Sequence, residues 1–300
     1  MVVYNEAAVG AVRACLDRWD DNRIYFNGTV EPGNVSLARN EGARGAKGHC
    51  LAFLDEDDMW HPAHLEVHAG AWNNSPGNGL VFSHVFFFWE GNELEAYIPA
   101  RETKRIDAGV LRRRMSSSHR WPIMGTTSLS IDKQAFLAVG GFDIRTPLMD
   151  DLEIQYHLAC RYPVLSLPEV TVARRHHFRS RLTRSKEEWF RLNGEEVEKK
   201  HQLPAGMLST RSSQFSRHSH LIDWAIMTLR GQRMLKRIRL AILMNNKPPM
   251  GTLRLWVKWV VIVLLGIERF HALRVSWRGG VLLRNFRDYM GQTNPMRNPD

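Results

Sequence analysis

Short apolar runs alternate with stretches of helical spacing through the first half of the chain. Leu51-Ala52-Phe53-Leu54 is too short for a helix and reads as a buried strand, ending abruptly in Asp55-Glu56-Asp57-Asp58. Leu80 to Trp89 is apolar and aromatic, the composition of a strand. Thr126 to Ile131, Val164 to Leu167 and Val170 to Ala173 read the same way. So do Arg23-Ile24-Tyr25-Phe26 and, as the tail of a strand, Met1-Val2-Val3. Helical spacing lies between these runs. Ala7 to Trp19 puts Val9, Val12, Leu16 and Trp19 on one side. Val35 to Ala46 is rich in Ala and Arg, follows the turn signal Pro32-Gly33-Asn34 and stops at Gly48. Ala63 to Trp72 is closed by Asn73-Asn74-Ser75-Pro76-Gly77, and Asp132 to Val139 by Gly140-Gly141. Asp150 to Tyr162 turns Leu152, Tyr156, Leu158 and Ala159 inward. Strands alternating with helices predict an α/β fold with a mainly parallel sheet.

The pattern changes after Arg181, where the chain becomes helical and basic. Leu221 to Met244 sets Leu221, Ile222, Ala225, Leu229, Leu235, Ile238 and Ile242 among Arg230, Arg233, Lys236, Arg237 and Arg239. That is a basic amphipathic helix, the type that lies on an anionic membrane surface. Leu253 to Ile267 is strongly apolar but carries Arg254 and Lys258, and falls short of the roughly 20 residues of a spanning helix. Packed helix, interfacial helix and true span all remain open for it. The expected organisation is an α/β domain over 1–184 and a helical, basic region over 185–300. Arg101 to Arg120, with Arg112-Arg113-Arg114 and Ser116-Ser117-Ser118, reads either as a loop flanking a site or as a solvated linker.

Composition narrows the partners. The chain has 300 residues, 44% hydrophobic and 24% charged, which is ordinary for globular domains. Its net charge of +10 favours an acidic partner such as nucleotide phosphates or an anionic membrane. A nucleic-acid role is not supported, because no aromatic-plus-basic motif of a known module is present. The three cysteines, Cys15, Cys50 and Cys160, are widely separated, with neither metal-site spacing nor a disulfide framework. Met1-Val2-Val3-Tyr4-Asn5-Glu6 lacks the basic-then-apolar order of a signal peptide. The expected location is cytoplasmic, peripheral at the inner face of a membrane.

Three constellations could carry chemistry. Four adjacent carboxylates at Asp55-Glu56-Asp57-Asp58 repel one another unless solvated or bound to a cation. At the carboxyl end of a strand they are either a solvated turn or a site for a hard divalent ion shared with substrate phosphates. Gly140-Gly141-Phe142-Asp143 precedes Asp150-Asp151-Leu152-Glu153, which opens a helix. Acids there suit the helix dipole, and a carboxylate beside an acceptor hydroxyl suits a general base. Arg174-Arg175-His176-His177, with Arg179, Arg181 and Arg184, is either a basic surface or a phosphate and metal contact.

Taken together, these segments resemble family 2 glycosyltransferases of the GT-A fold. Val35-Ser36-Leu37-Ala38-Arg39-Asn40-Glu41-Gly42 is similar to the family's "VSxARNxG" segment. Phe53-Leu54-Asp55-Glu56-Asp57-Asp58-Met59-Trp60 is similar to "FLDxDDxW", and Gly125-Thr126-Thr127-Ser128 to "GTSS". Val139-Gly140-Gly141-Phe142-Asp143 matches "VGGFD", and Asp150-Asp151 stands at the Glu-Asp position. The resemblance implies inverting transfer of a sugar from a nucleotide-diphospho-sugar donor to a glycan or lipid-linked hydroxyl, with Mn2+ or Mg2+ as cofactor. It implies Asp57 as metal ligand, with Asp55 and His176 beside it and Asp58 as a further candidate. It implies Asp151, then Asp150, as general base, and Asp55, Arg39, Asn40 and Arg175 as donor contacts. Family members begin with two strands, and this chain has room for one, with Tyr4 and Asn5 where acids are expected. The alternative expectation is therefore a truncated or non-catalytic relative acting as a membrane-associated binding protein.

Overall fold

The computed structural model describes residues 9–19, 21–24, 34–89, 96–98, 103–108, 110, 125–146, 149–176, 187–202, 260–261, 263–266, 269 and 281–283. The expectations for Met1-Val2-Val3, for Tyr25-Phe26 and for Leu221 to Met244 lie outside these residues. So does most of Leu253 to Ile267.

Helix α1 (Val9–Leu16) is followed by a turn at Asp21 to Ile24, where a strand had been expected to begin. Helix α2 (Val35–Gly45) starts where its sequence says it should. The Asn34 side chain accepts a hydrogen bond from the Leu37 N–H and caps the first turn. Strand β1 (Cys50–Ala52) leads into the acid turn, and β2 (Asp58–Trp60) leaves it. Helix α3 (His64–Asn74), strand β3 (Leu80–Trp89) and two short strands, β4 (Ala96–Ile98) and β5 (Lys104–Ile106), come next. A single 3-10 turn (Thr126–Ser128) opens β6 (Leu129–Asp132). Asp132 caps α4 (Lys133–Ala138) through the Ala135 N–H. Helix α5 (Asp150–Arg161), strand β7 (Val164–His176), helix α6 (Glu187–His201) and strand β8 (Val281–Leu283) complete the described elements. No described helix is long and apolar enough to cross a membrane.

The main sheet has six strands, in the order β1-β6-β3-β7-β2 with β5 paired to the outside of this path on β7. Here the mainly parallel expectation is refined: among the described strands only β3–β7 pair in parallel. Strands β1, β3 and β7 run one way, and β6, β2 and β5 run the other. The reason is local. β6 inserts between β1 and β3 antiparallel to both, so the parallel relation of those two strands is hidden.

One row of side chains ties the sheet together. Leu51, Ile131, Leu80, Val164 and Ile106 stand opposite one another across five strands, all buried. Directly opposed residues share a face, so this row is the floor of the larger core. Ala43 of α2, Phe136 of α4, and Ile154 and Leu158 of α5 close over it. On the other face Val81 and Leu165 pack against Val67, Ala71 and Trp72 of α3. The result is a three-layer α/β/α unit.

The α3 face also carries a buried polar network. His64 and His68, four residues apart, hydrogen-bond Thr171 Oγ1 and Ser130 Oγ, each at 2.7 Å. Trp60 stacks on the His64 ring at 4.3 Å. Burial holds both imidazoles neutral, with the His68 pKa lowered to about 4. The network fixes β2, and with it one end of the acid turn.

Candidate active site

Helix α2 is the hub of the site. Its residues Ser36, Arg39 and Asn40 follow helical spacing and share one face. Ser36 Oγ donates to Asp150 Oδ2 at 3.1 Å. Arg39 donates through Nη1 to Asp150 Oδ2 at 2.7 Å and through Nη2 to Asp55 Oδ1 at 2.6 Å. The guanidinium therefore bridges the acid turn and the amino terminus of α5. Burial opposes its charge, but the Asp150 and Asp55 carboxylates keep its pKa above the ordinary range. Asn40 uses both ends of its amide on the Phe142 backbone, at 2.8 and 2.9 Å. It holds the Gly140-Gly141 turn, whose glycines have φ of 91° and 72°. A Cβ on Gly141 would lie 2.5 Å from Asn40 Oδ1, so both conformation and close approach require glycine there.

The acid turn lies between β1 and β2. Asp55, Asp57 and Asp58 each bring a carboxylate oxygen to within 4.8 Å of the other two. Their surroundings differ. Asp58 is buried and anchored: Thr127 Oγ1 donates to Oδ2 at 2.8 Å and the Arg175 backbone N–H to Oδ1 at 3.2 Å. The Thr127 carbonyl in turn accepts the Trp60 indole N–H at 2.9 Å. Arg174 Nε stands 3.9 Å from Asp58 Oδ2. Burial raises the Asp58 pKa, against the pull of Arg174 and Thr127. Asp55 is tied to Arg39, and Asp57 is half-buried on the turn.

Asp150 and Asp151 form the first turn of α5, where the helix dipole favours negative charge. Burial nevertheless raises the Asp150 pKa to about 6, with Arg39 opposing the rise and Asp151 adding to it. Burial also raises the Asp151 pKa, opposed first by Arg174 and then by Arg39. Each arginine thus acts on both groups of acids. Arg39 reaches Asp55 and Asp150, and Arg174 reaches Asp58 and Asp151. The two sequence constellations form one pocket, with five carboxylates facing two guanidinium groups. That excess negative charge, held partly out of water, suits a divalent cation and a proton acceptor.

Arg175 and His176 end β7, with His176 in register with Trp89. The pairing of β7 with β2, Asp58 opposite Arg174, is what brings this basic segment to the acid turn. Sequence reasoning did not single out Ser36 or Thr127. Both stood inside segments that had been noticed, and their short hydroxyl side chains are the usual anchors for buried carboxylates. Gly125 lies beside the Arg174 guanidinium, so a side chain there would displace the end of that arginine.

A family model described as glycosyltransferase-like family 2 matches residues 22–200. A Bacillus subtilis (strain 168) protein, described as a teichuronic acid biosynthesis glycosyltransferase and named TuaG, is 23% identical over 148 residues. The match spans 49% of this chain and 55% of that protein, so it reaches only about half the length of the relative. Among solved structures, the mannosyltransferase PcManGT from Pyrobaculum calidifontis, in complex with GDP-Man and Mn2+, is similar with a TM-score of 0.48 and 16% identity. That likeness covers 92% of this chain and 77% of the other. S. aureus TarS, residues 1-349, is similar with a TM-score of 0.46 and 12% identity, over 99% of this chain and 90% of that one.

Proposed function

The chain belongs to glycosyltransferase-like family 2, and from that membership we propose that it moves a sugar from a nucleotide-diphosphate donor to an acceptor hydroxyl. The acceptor we assign is a glycan or a lipid-linked saccharide at a membrane surface, and the transfer inverts the sugar carbon. The observation that carries this reading is the joining of the acid turn to the α5 amino terminus through Arg39. One pocket then offers a place for a donor diphosphate and, across from it, a carboxylate for the acceptor.

A divalent cation, Mn2+ or Mg2+, fits the turn. The donor set is all carboxylate oxygen, which hard ions prefer. Asp57 is the ligand we assign, with Asp55 next to it. Asp58, engaged by Thr127 and the Arg175 N–H, keeps the turn in shape. When bound, the ion would neutralise charge on the leaving diphosphate. The protein does the rest. Arg174, Arg175 and His176 at the end of β7 are assigned to the donor phosphates. Asp151 takes the proton from the acceptor hydroxyl as that oxygen attacks the sugar carbon. Asp150, fixed by Ser36 and Arg39, holds the first turn of α5 in place.

The test is turnover. With a panel of nucleotide sugars, the purified chain is expected to release nucleoside diphosphate in the presence of Mn2+ or Mg2+. Release should stop with a chelator and return when the metal is restored. Turnover that is indifferent to the chelator would remove the metal from the account, and no turnover with any donor would favour the binding-protein alternative.

A further inference from the structure

A second cluster of ligating side chains lies between α5 and α6, about one to two turns along α5 from the acid pair. Glu153, His157 and His201 each bring one ligating atom to within 4.8 Å of the other two. Glu153 and His157 are four residues apart and share a face of α5, while His201 comes from the last turn of α6. Asp151 is two residues before Glu153, about 200° round the helix, while Asp150, three residues before Glu153 and seven before His157, lies on the cluster's side of α5, about one and two turns nearer the helix start. Glu153 is buried, with Oε2 held by Thr146 Oγ1 at 2.7 Å. Its Oε1 receives Lys200 Nζ at 2.5 Å and lies 3.1 Å from His201 Nε2. The His157 and His201 rings meet edge-on, with centroids 4.5 Å apart. Burial, and then His201, keep His157 neutral, with its pKa lowered to about 4.

We propose that Glu153, His157 and His201 form a site for a late first-row divalent metal, zinc foremost, taken up in exchange for the Lys200 ammonium on Glu153. Two imidazoles and one carboxylate are a recurrent zinc donor set, with a further position left for water. Nitrogen donors also separate this site from the acid turn, whose all-oxygen set suits Mn2+ or Mg2+. Donors about 2.1 Å from one ion lie about 3.4 Å apart, so side-chain rotation alone closes the cluster. Exchange does not strand Lys200. Its Nζ is also 2.6 Å from Asp143 Oδ2, and it keeps that partner when Glu153 turns to the metal. The ion would link α6 to α5, and its binding free energy would add to the stability of that packing.

Cobalt is the probe, because four-coordinate Co2+ with nitrogen ligands absorbs strongly in the visible. Tag-free full-length protein titrated with Co2+ is expected to develop that absorption, and Zn2+ is expected to remove it. His157→Ala and His201→Gln should each abolish it, with folding checked by circular dichroism. Lys200→Met should tighten Co2+ binding by about tenfold, the worth of one charge-assisted hydrogen bond. Zn2+ should raise the melting temperature of the wild type and not that of His201→Gln. The proposal is overturned if the wild type shows no such band. It is equally overturned if the band survives both histidine changes, or if only Lys200→Met binds.

Discussion

Asp151→Asn is expected to slow sugar transfer by ~10²–10⁴-fold, the usual range for loss of a positioned general base, while donor affinity stays within a few-fold. The amide keeps the shape of the side chain and can still accept the Leu152 N–H, which lies 2.8 Å from Asp151 Oδ1. What it loses is the ability to take a proton. Asp150→Asn is not equivalent, because Asp150 anchors Ser36 and Arg39. The pH dependence follows from the same pair. Burial raises the pKa of both acids, Asp150 to about 6, and transfer needs the carboxylate form. Activity should therefore climb as pH rises through a limb above the ordinary carboxylate range, and this acid limb belongs to the pair together. Stability has the opposite slope: a raised carboxyl pKa means the folded state holds the proton more tightly than the unfolded one. That contribution fades as pH rises from about 4 towards 6. Initial rates at saturating donor from pH 5 to 9 check the first statement. A folded Asp151→Asn variant with wild-type turnover would take Asp151 out of the reaction.

Arg39→Met carries the largest expected stability loss, about 3–5 kcal/mol, the range seen when one partner of a buried ion pair is removed. The side chain is largely buried, and its removal leaves the Asp150 carboxylate without its closest cation. It also cuts the direct hydrogen bonds by which one side chain joins the acid turn to α5. Urea denaturation measures the loss. The acid limb of any remaining activity should move to higher pH, since Arg39 now lowers the pKa of both acids of the pair. Arg39→Lys should restore only part of the stability. A point charge on a flexible stem does not span two carboxylates as a planar fork does. An Arg39→Met protein as stable as wild type would mean that the bridge contributes nothing.

Much of the fold could be read from the pattern of the chain. β3 matches the expected Leu80 to Trp89, and α2 and α5 differ from their expected spans by a residue at one end. These elements have strong local signals: a continuous apolar run, a capped helix start, acids in the first turn. Val164 to Leu167 and Val170 to Ala173 were read as two short strands, with Pro168 between them. The chain instead continues as one strand, with its register against β3 shifting between Ser166 and Val170. A bulge accommodates the proline there without ending the pairing. The acid turn was recognised as a site, but not as a link between two strands. β2 is three residues long and pairs with β7, more than a hundred positions away, so nothing local announces it. The roles of Arg39 and Asn40 were hidden for the same reason. Helical spacing puts each of them beside Ser36, yet only packing shows Arg39 joining two acids and Asn40 holding a glycine turn.

The most direct measurement is calorimetric titration of nucleoside diphosphates into the wild type and into Asp57→Ala, with Mn2+ and with chelator. The account predicts binding to the wild type that requires Mn2+, lost in chelator and weakened at least tenfold in a folded Asp57→Ala protein. Metal-dependent binding of equal strength to the two proteins would contradict it, as would a wild type that binds none of the nucleotides.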